Sequence, residues 1–324
     1  MESLIFALNA TLPIVLTVAL GYFIKRLGII SPSVASSINK IVFKILLPAM
    51  LFVNIYDIED IGSINLTYVL YVLGITILLF LIFIPIVSIF FTRAQRGVLL
   101  QAIFRSNYAL VGIPLASALF GGEGVAMASI LAAFIIPAFN VLAVICLSIY
   151  SDEKRPSVKS ILVKILQNPL IIAVVTALLV LVGRLFFVKF DITFRLSDAQ
   201  PIFKVLTYLS SAATPMALLA LGAQFEFSAI SALKKQIIFA VAIRTVLIPA
   251  VTLSVAYAIG IFEGAHFATF VAMFATPVAV SSVPMAESMG ADHKLAGQIV
   301  IWTTVLSSIT IFLSSFILKS LGVF

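Results

Sequence analysis

Arg105-Ser-Asn-Tyr-Ala-Leu-Val-Gly-Ile-Pro114, continued as Leu-Ala-Ser-Ala-Leu-Phe-Gly121, sits inside an apolar run long enough to cross a bilayer. It carries a charge, an amide, a glycine and a proline near its middle. A helix in lipid must satisfy its own backbone, so an interruption there is tolerated only where it is buried in protein or lines a cavity. A second stretch of this kind follows about half a chain later: Thr276-Pro277-Val-Ala-Val-Ser281-Ser282-Val-Pro284-Met-Ala-Glu287. Two broken spans in corresponding positions point to a transporter binding site.

The composition around them fits a membrane. Of 324 residues, 62% are hydrophobic and 10% charged, with a mean hydropathy of +1.24. A soluble protein of this size could not hide that much apolar surface. The net charge of +7 reads as a cytoplasmic-loop bias rather than nucleic-acid affinity. The start, Met1-Glu2-Ser3-Leu4, has no basic region and the first span exceeds a signal-peptide core, so that span is expected to be retained. Cys146 is the only cysteine, which excludes an internal disulfide.

With about 20 apolar residues per span as the yardstick, ten transmembrane helices are predicted. They fall near 4–24, 38–56, 66–91, 97–121, 123–150, 168–188, 201–223, 233–260, 265–290 and 295–320. An interfacial helix is expected over 158–167. The odd-numbered loops hold most of the Lys and Arg, including Lys25, Arg26, Arg93, Arg96, Lys234, Lys235 and Lys294. That places them in the cytoplasm and both termini outside, in a multi-pass protein of the cell membrane. The basic sixth loop, with Arg184, Lys189 and Arg195, runs against this bias.

Two halves, 1–157 and 158–324, echo each other. Pro48 matches Pro215, Pro114 matches Pro284, and Ala109 and Ala116 match Ala279 and Ala286. Gly121-Gly-Glu123 is echoed by Gly290-Ala-Asp292. Five spans per half make the second repeat inverted.

The candidate substrate-binding residues are Asn107, Gly112, Pro114, Pro277, Ser281, Ser282, Pro284, Arg105 and Arg244. Pro114 frees backbone groups near Leu110, and Gly112 permits an unusual backbone conformation. The first break could also be a plain kink, and the second could be satisfied locally by serine. Arg105, Arg244 and Glu287 are ionisable groups inside spans, where a charge needs a cavity or a partner. Snorkelling to the headgroups is the alternative for the arginines. Glu287 could pair with either, leaving one arginine for an anionic ligand, and it is the ion-coupling candidate. Asn168-Pro169 reads as an N-cap with proline in the first turn. Gln101, Asn140, Asn54 and Gln224 read as interhelical glue. Metal-protease, nucleophile-elbow and phosphate-loop patterns are absent, which argues against an enzyme or an ATP-driven pump.

On Asn107-Tyr-Ala-Leu-Val-Gly-Ile-Pro114, Pro277 to Pro284, Leu47-Pro48 and Asn168-Pro169, the chain resembles prokaryotic members of the auxin efflux carrier family along essentially its whole length. The resemblance implies a fold similar to bile-acid/sodium symporters, with an elevator-like transport domain and a homodimer. Spans 1, 2, 6 and 7 would be scaffold, and spans 3–5 and 8–10 would carry the crossing. It implies Asn107, Pro114 and Pro284 as site positions. The large central hydrophilic loop of long plant members is missing here. The expected function is a secondary carrier for a small organic anion such as a carboxylate, with no cofactor, with sodium or proton coupling open, and with no nucleic-acid partner. A channel, or a cation-coupled carrier of a non-anionic solute, is the alternative.

Overall fold

The computed structural model describes residues 2–57, 66–150, 166–190 and 194–323, together with 159, 162 and 163. In chain order the helices are α1 (Glu2–Arg26), α2 (Pro32–Ile41), α3 (Leu47–Tyr56), α4 (Leu66–Phe90), α5 (Arg93–Phe104), α6 (Ile113–Ile149) and α7 (Pro169–Lys189). After them come α8 (Gln200–Gln224), α9 (Ser228–Ala232), α10 (Lys234–Ala242), α11 (Ile248–Ile259), α12 (Ala265–Phe274), α13 (Ser282–Ser288) and α14 (His293–Ser320). Among the described residues there is no strand, only one isolated antiparallel bridge. Among the described residues six helical runs are long and apolar enough to cross a membrane: Ser33–Tyr56, Leu66–Phe90, Tyr108–Ile149, Gln200–Gln224, Lys234–Ile259 and His293–Ser320. Pro169–Arg184 and Ala265–Phe274 are shorter apolar helices. Half of the expected interfacial helix over 158–167 lies outside the described residues.

Three of these runs contain one widened π turn, and each turn precedes a proline by two residues. Val42–Leu46 comes before Pro48, Tyr108–Gly112 before Pro114, and Ile243–Leu247 before Pro249. Proline has no amide hydrogen and crowds the carbonyl four residues back. Widening the turn relieves that contact. The amide just before each proline reaches back five residues instead of four: Leu47 to Val42, Ile113 to Tyr108 and Ile248 to Ile243. In the third case the carbonyl that Pro249 cannot serve, that of Thr245, accepts the Thr310 hydroxyl at 2.7 Å.

The run Tyr108–Ile149 is not one rod. Phe120 and Gly121 are non-helical within it, and Gly121 has φ 57°. A straight helix would put residues 108 and 128 about 30 Å apart. Instead the Tyr108 hydroxyl donates to the Ala128 carbonyl at 3.1 Å, so the chain doubles back at Gly121. The turn expected at 121–123 is therefore present. It is tight because Gly124 packs on the Ala116 carbonyl, where a Cβ would lie at 2.1 Å.

The helices differ in what surrounds them. Leu70 and Leu81 on α4 and Leu179 on α7 stay more than half exposed, as expected of faces that meet lipid. In contrast α5 is buried continuously from Gly97 to Phe104, and α12 at all but one of its ten positions. An apolar helix buried all round is an interior helix. These two short helices, about 18 and 15 Å long, bring the two breaks to the middle of the molecule.

Candidate solute site at the crossing

Both breaks leave helical geometry. Arg105 takes φ −91°, ψ 103°, and Asn107 φ −79°, ψ 52°. The two stretches run antiparallel past each other, bridged at Ser106 and Val278. The Asn107 amide donates to the Pro277 carbonyl at 2.8 Å, and the Ala279 amide to the Arg105 carbonyl at 3.3 Å. Each break thus supplies the backbone partner that the other lost. Below the bridge, the Ser106 and Thr276 hydroxyls lie 3.0 Å apart.

A cavity of about 50 Å³ opens beside the bridge. One wall is Arg105, Asn107, Leu110, Asn140 and Ser281, and the other is Leu47, Met50, Leu51, Thr214 and Ala217 from α3 and α8. Arg105 is 3% exposed. Its Nη2 donates to Asn140 Oδ1 at 3.0 Å and to Ser281 Oγ at 2.9 Å. Its Nη1 lies 3.4 Å from Gln101 Oε1 and 3.0 Å from Met285 Sδ. No carboxylate among the described residues pairs with it; Lys294–Glu226, an ion pair of the described residues, lies at the surface. Asn107 is 4% exposed, and its Nδ2 is buried without a hydrogen-bond partner.

The sequence-derived residues separate on inspection. Arg105, Asn107 and Ser281 meet at the cavity. The Pro277 carbonyl holds the bridge. Pro284 lies in the first turn of α13, where a missing amide costs no helical bond, whereas Pro114 sits inside the run that begins at Tyr108 and leaves the Leu110 carbonyl without its usual amide donor. Ser282 is off the cavity, with its hydroxyl buried and unpartnered. Gly112 is needed for a different reason than expected. Its backbone is ordinary helix (φ −68°, ψ −52°), but a Cβ there would lie 2.8 Å from the Ala272 carbonyl. Space, not conformation, requires glycine.

Arg244 is 1% exposed and does not border the cavity; it bonds backbone carbonyls behind the crossing. Neither arginine snorkels. Glu287 pairs with neither: its carboxylate accepts from Asn39 Nδ2 at 2.5 Å and Gln224 Nε2 at 3.3 Å. Asn168 caps α7 as expected, accepting from the Leu170 amide at 2.9 Å. From their place in the sequence Asn140 and Gln101 have only a gluing role, and Asn39 and Met285 none. The available signal was an amide in the middle of an apolar span, since such a group must find a partner there.

A crossing of two broken helices beside a cavity with a few converging polar side chains is the arrangement of solute carriers. The sequence of this chain matches the model of a family described as membrane transport protein over residues 6–314. The chain belongs to that family. The resemblance to the auxin efflux carriers therefore stands over nearly the whole chain. A protein described as an uncharacterized transporter from Methanothermobacter thermautotrophicus is 22% identical over 312 residues, covering 96% of this chain and 98% of that one. The protein is thus a multi-pass membrane transporter, not an enzyme.

Proposed function

We propose that this transporter carries a small organic anion and binds its carboxylate at the crossing. One juxtaposition supports this reading: an arginine with no acidic partner among the described residues and an unpaired buried amide face the same cavity. A buried guanidinium without a counter-charge is costly, and an entering carboxylate would offset that cost. The helical run that begins at Tyr108 adds its N-terminal dipole, since Tyr108, Ala109 and Leu110 all border the cavity.

In this reading ten crossings form two inverted five-helix repeats. Three observations favour it. Gly121 and Gly290, paired by the repeat, both take positive φ, at 57° and 72°. Ala109 and Ala279, also paired, both border the cavity. The breaks meet antiparallel. The runs α1, α2–α3, α7 and α8 form the static scaffold and the remaining helices move the crossing past it. The cavity has walls from both groups, as that motion requires. The Lys- and Arg-rich loops face the cytoplasm and both termini lie outside the cell membrane.

Thermal unfolding of the purified protein tests the site. Acetate, malonate, malate and indole-3-acetate would be screened in sodium and in choline salts at two pH values. At least one should raise the melting temperature, because a ligand that binds only the folded form stabilises it. Arg105→Gln and Asn107→Ala should each remove that increase. No increase with any carboxylate, or an undiminished increase in both variants, excludes this site.

A further inference from the structure

Arg244 stands on the widened turn Ile243–Leu247 and directs all three guanidinium nitrogens to backbone oxygens. Its Nε donates to the Thr276 carbonyl at 3.1 Å and its Nη2 to the same oxygen at 2.9 Å. Nη2 also reaches the Met273 carbonyl at 3.0 Å, and Nη1 the Ile103 carbonyl at 3.1 Å. These are the oxygens that the breaks orphan. The amide four residues beyond Ile103 is that of Asn107, which is already donated to Pro277. Four residues beyond Met273 stands Pro277, which has no amide hydrogen. Thr276 lies past the end of α12, where the helical ladder has stopped.

Each short helix also presents the partial negative charge of its C-terminus at this point. Arg244 lies against both. It fills the role of a C-terminal cap shared by two half-helices that enter from opposite directions. It also ties them to the α10–α11 run, which does not border the cavity.

We propose that Arg244 is a positioning residue for solute binding: by capping Ile103, Met273 and Thr276 together, it fixes the two breaks relative to each other so that Arg105, Asn107 and Ser281 converge on one cavity. This rests on the anion-carrier reading for its functional readout, and on the crossing alone for its structural one. Lysine cannot substitute. It keeps the charge but has one nitrogen, whereas the contacts need a planar fork that spans carbonyls of two helices.

The test uses Arg244→Ala and Arg244→Lys in the purified full chain, with methylguanidinium or methylammonium added. Arg244→Ala should melt lower than the unsubstituted protein, and methylguanidinium should restore much of the loss where methylammonium does not. Arg244→Lys should melt between Arg244→Ala and the unsubstituted protein and bind malonate roughly ten-fold more weakly or worse, a loss of about one charged hydrogen bond. Malonate affinity in Arg244→Lys equal to that of the unsubstituted protein overturns the proposal. So does methylguanidinium leaving Arg244→Ala unchanged. If Arg244→Ala does not fold, Arg244→Lys carries the test. Unsubstituted protein that binds no carboxylate would sink the anion reading alone, because rescue of solute-free melting is read without solute.

Discussion

Replacing Gly112 by alanine would put a methyl 2.8 Å from the Ala272 carbonyl oxygen and 2.8 Å from the Tyr108 ring. The first neighbour is backbone of a buried half-helix, so it cannot swing aside. Overpacking of this kind costs about 1–3 kcal/mol, and Gly112→Ala should melt measurably lower; an unchanged melting temperature would show that α6 and α12 can separate freely. Asn140 acts more gently. It holds Nη2 of Arg105 while its own Nδ2 donates to the Ile136 carbonyl at 2.8 Å. Asn140→Ala should weaken carboxylate binding several-fold with a smaller effect on melting, since it loosens the arginine without removing it. At this scale the sequence showed which residues were out of place in an apolar span, and little about which way they face. Arg105 and Arg244 are one residue type in comparable settings. One turns to the cavity and the other to the carbonyls behind it, because the widened turn of residues 243–247 and the orphaned oxygens at Met273 and Thr276 decide the direction. Neither was visible before the chain was folded.

Pairs of helices were more legible. The apolar runs and loop residues marked where most helices begin and end. The doubled-back run through Gly121 was readable from Gly121-Gly-Glu123. The widened turns were not, because a proline announces a disturbance without saying how the turn absorbs it. Close packing was equally silent. Gly222 on α8 lies so near α1 that a Cβ would sit 2.0 Å from the Val18 carbonyl, and a Cβ added at Gly21 on α1 would sit 2.3 Å from the Leu219 carbonyl. Small residues let two helices in lipid approach backbone to backbone. Gly222→Ala must push α1 and α8 apart, so it should lower the melting temperature more than alanine at Gly183, where the structure leaves open space. Equal effects at the two positions would show that this seam contributes nothing special.

Across the whole molecule the cavity has a floor. Asn39, Gln224 and Glu287 meet six to eight residues beyond the cavity-lining positions Leu47, Ala217 and Ser281, on the same three runs and toward the lysine-rich side. That is roughly 10 Å along each helix. In the proposed elevator the first two belong to the scaffold and the third to the moving part, so this contact must open during a cycle. Cysteines at positions 39 and 287, joined by a short bifunctional thiol reagent in a Cys146→Ala background, should stop flux, and the same reagent should leave the flux of each single-cysteine protein where it stood before treatment. Flux through the joined protein would show that the division between still and moving helices is wrong. Transport by Glu287→Gln that keeps its full pH and sodium response would remove Glu287 from any coupling role. The reciprocal backbone bonds of the crossing also bear on synthesis. The two breaks are 170 residues apart in the chain. At ordinary translation rates, the first waits roughly 10–30 s for the second to be made. During that wait the Asn107 amide and the Arg105 carbonyl lack the partners they have in the fold, so the nascent chain must satisfy them otherwise, with water or by continuing the helix through the break. The first half becomes fully stable in lipid only when the second arrives.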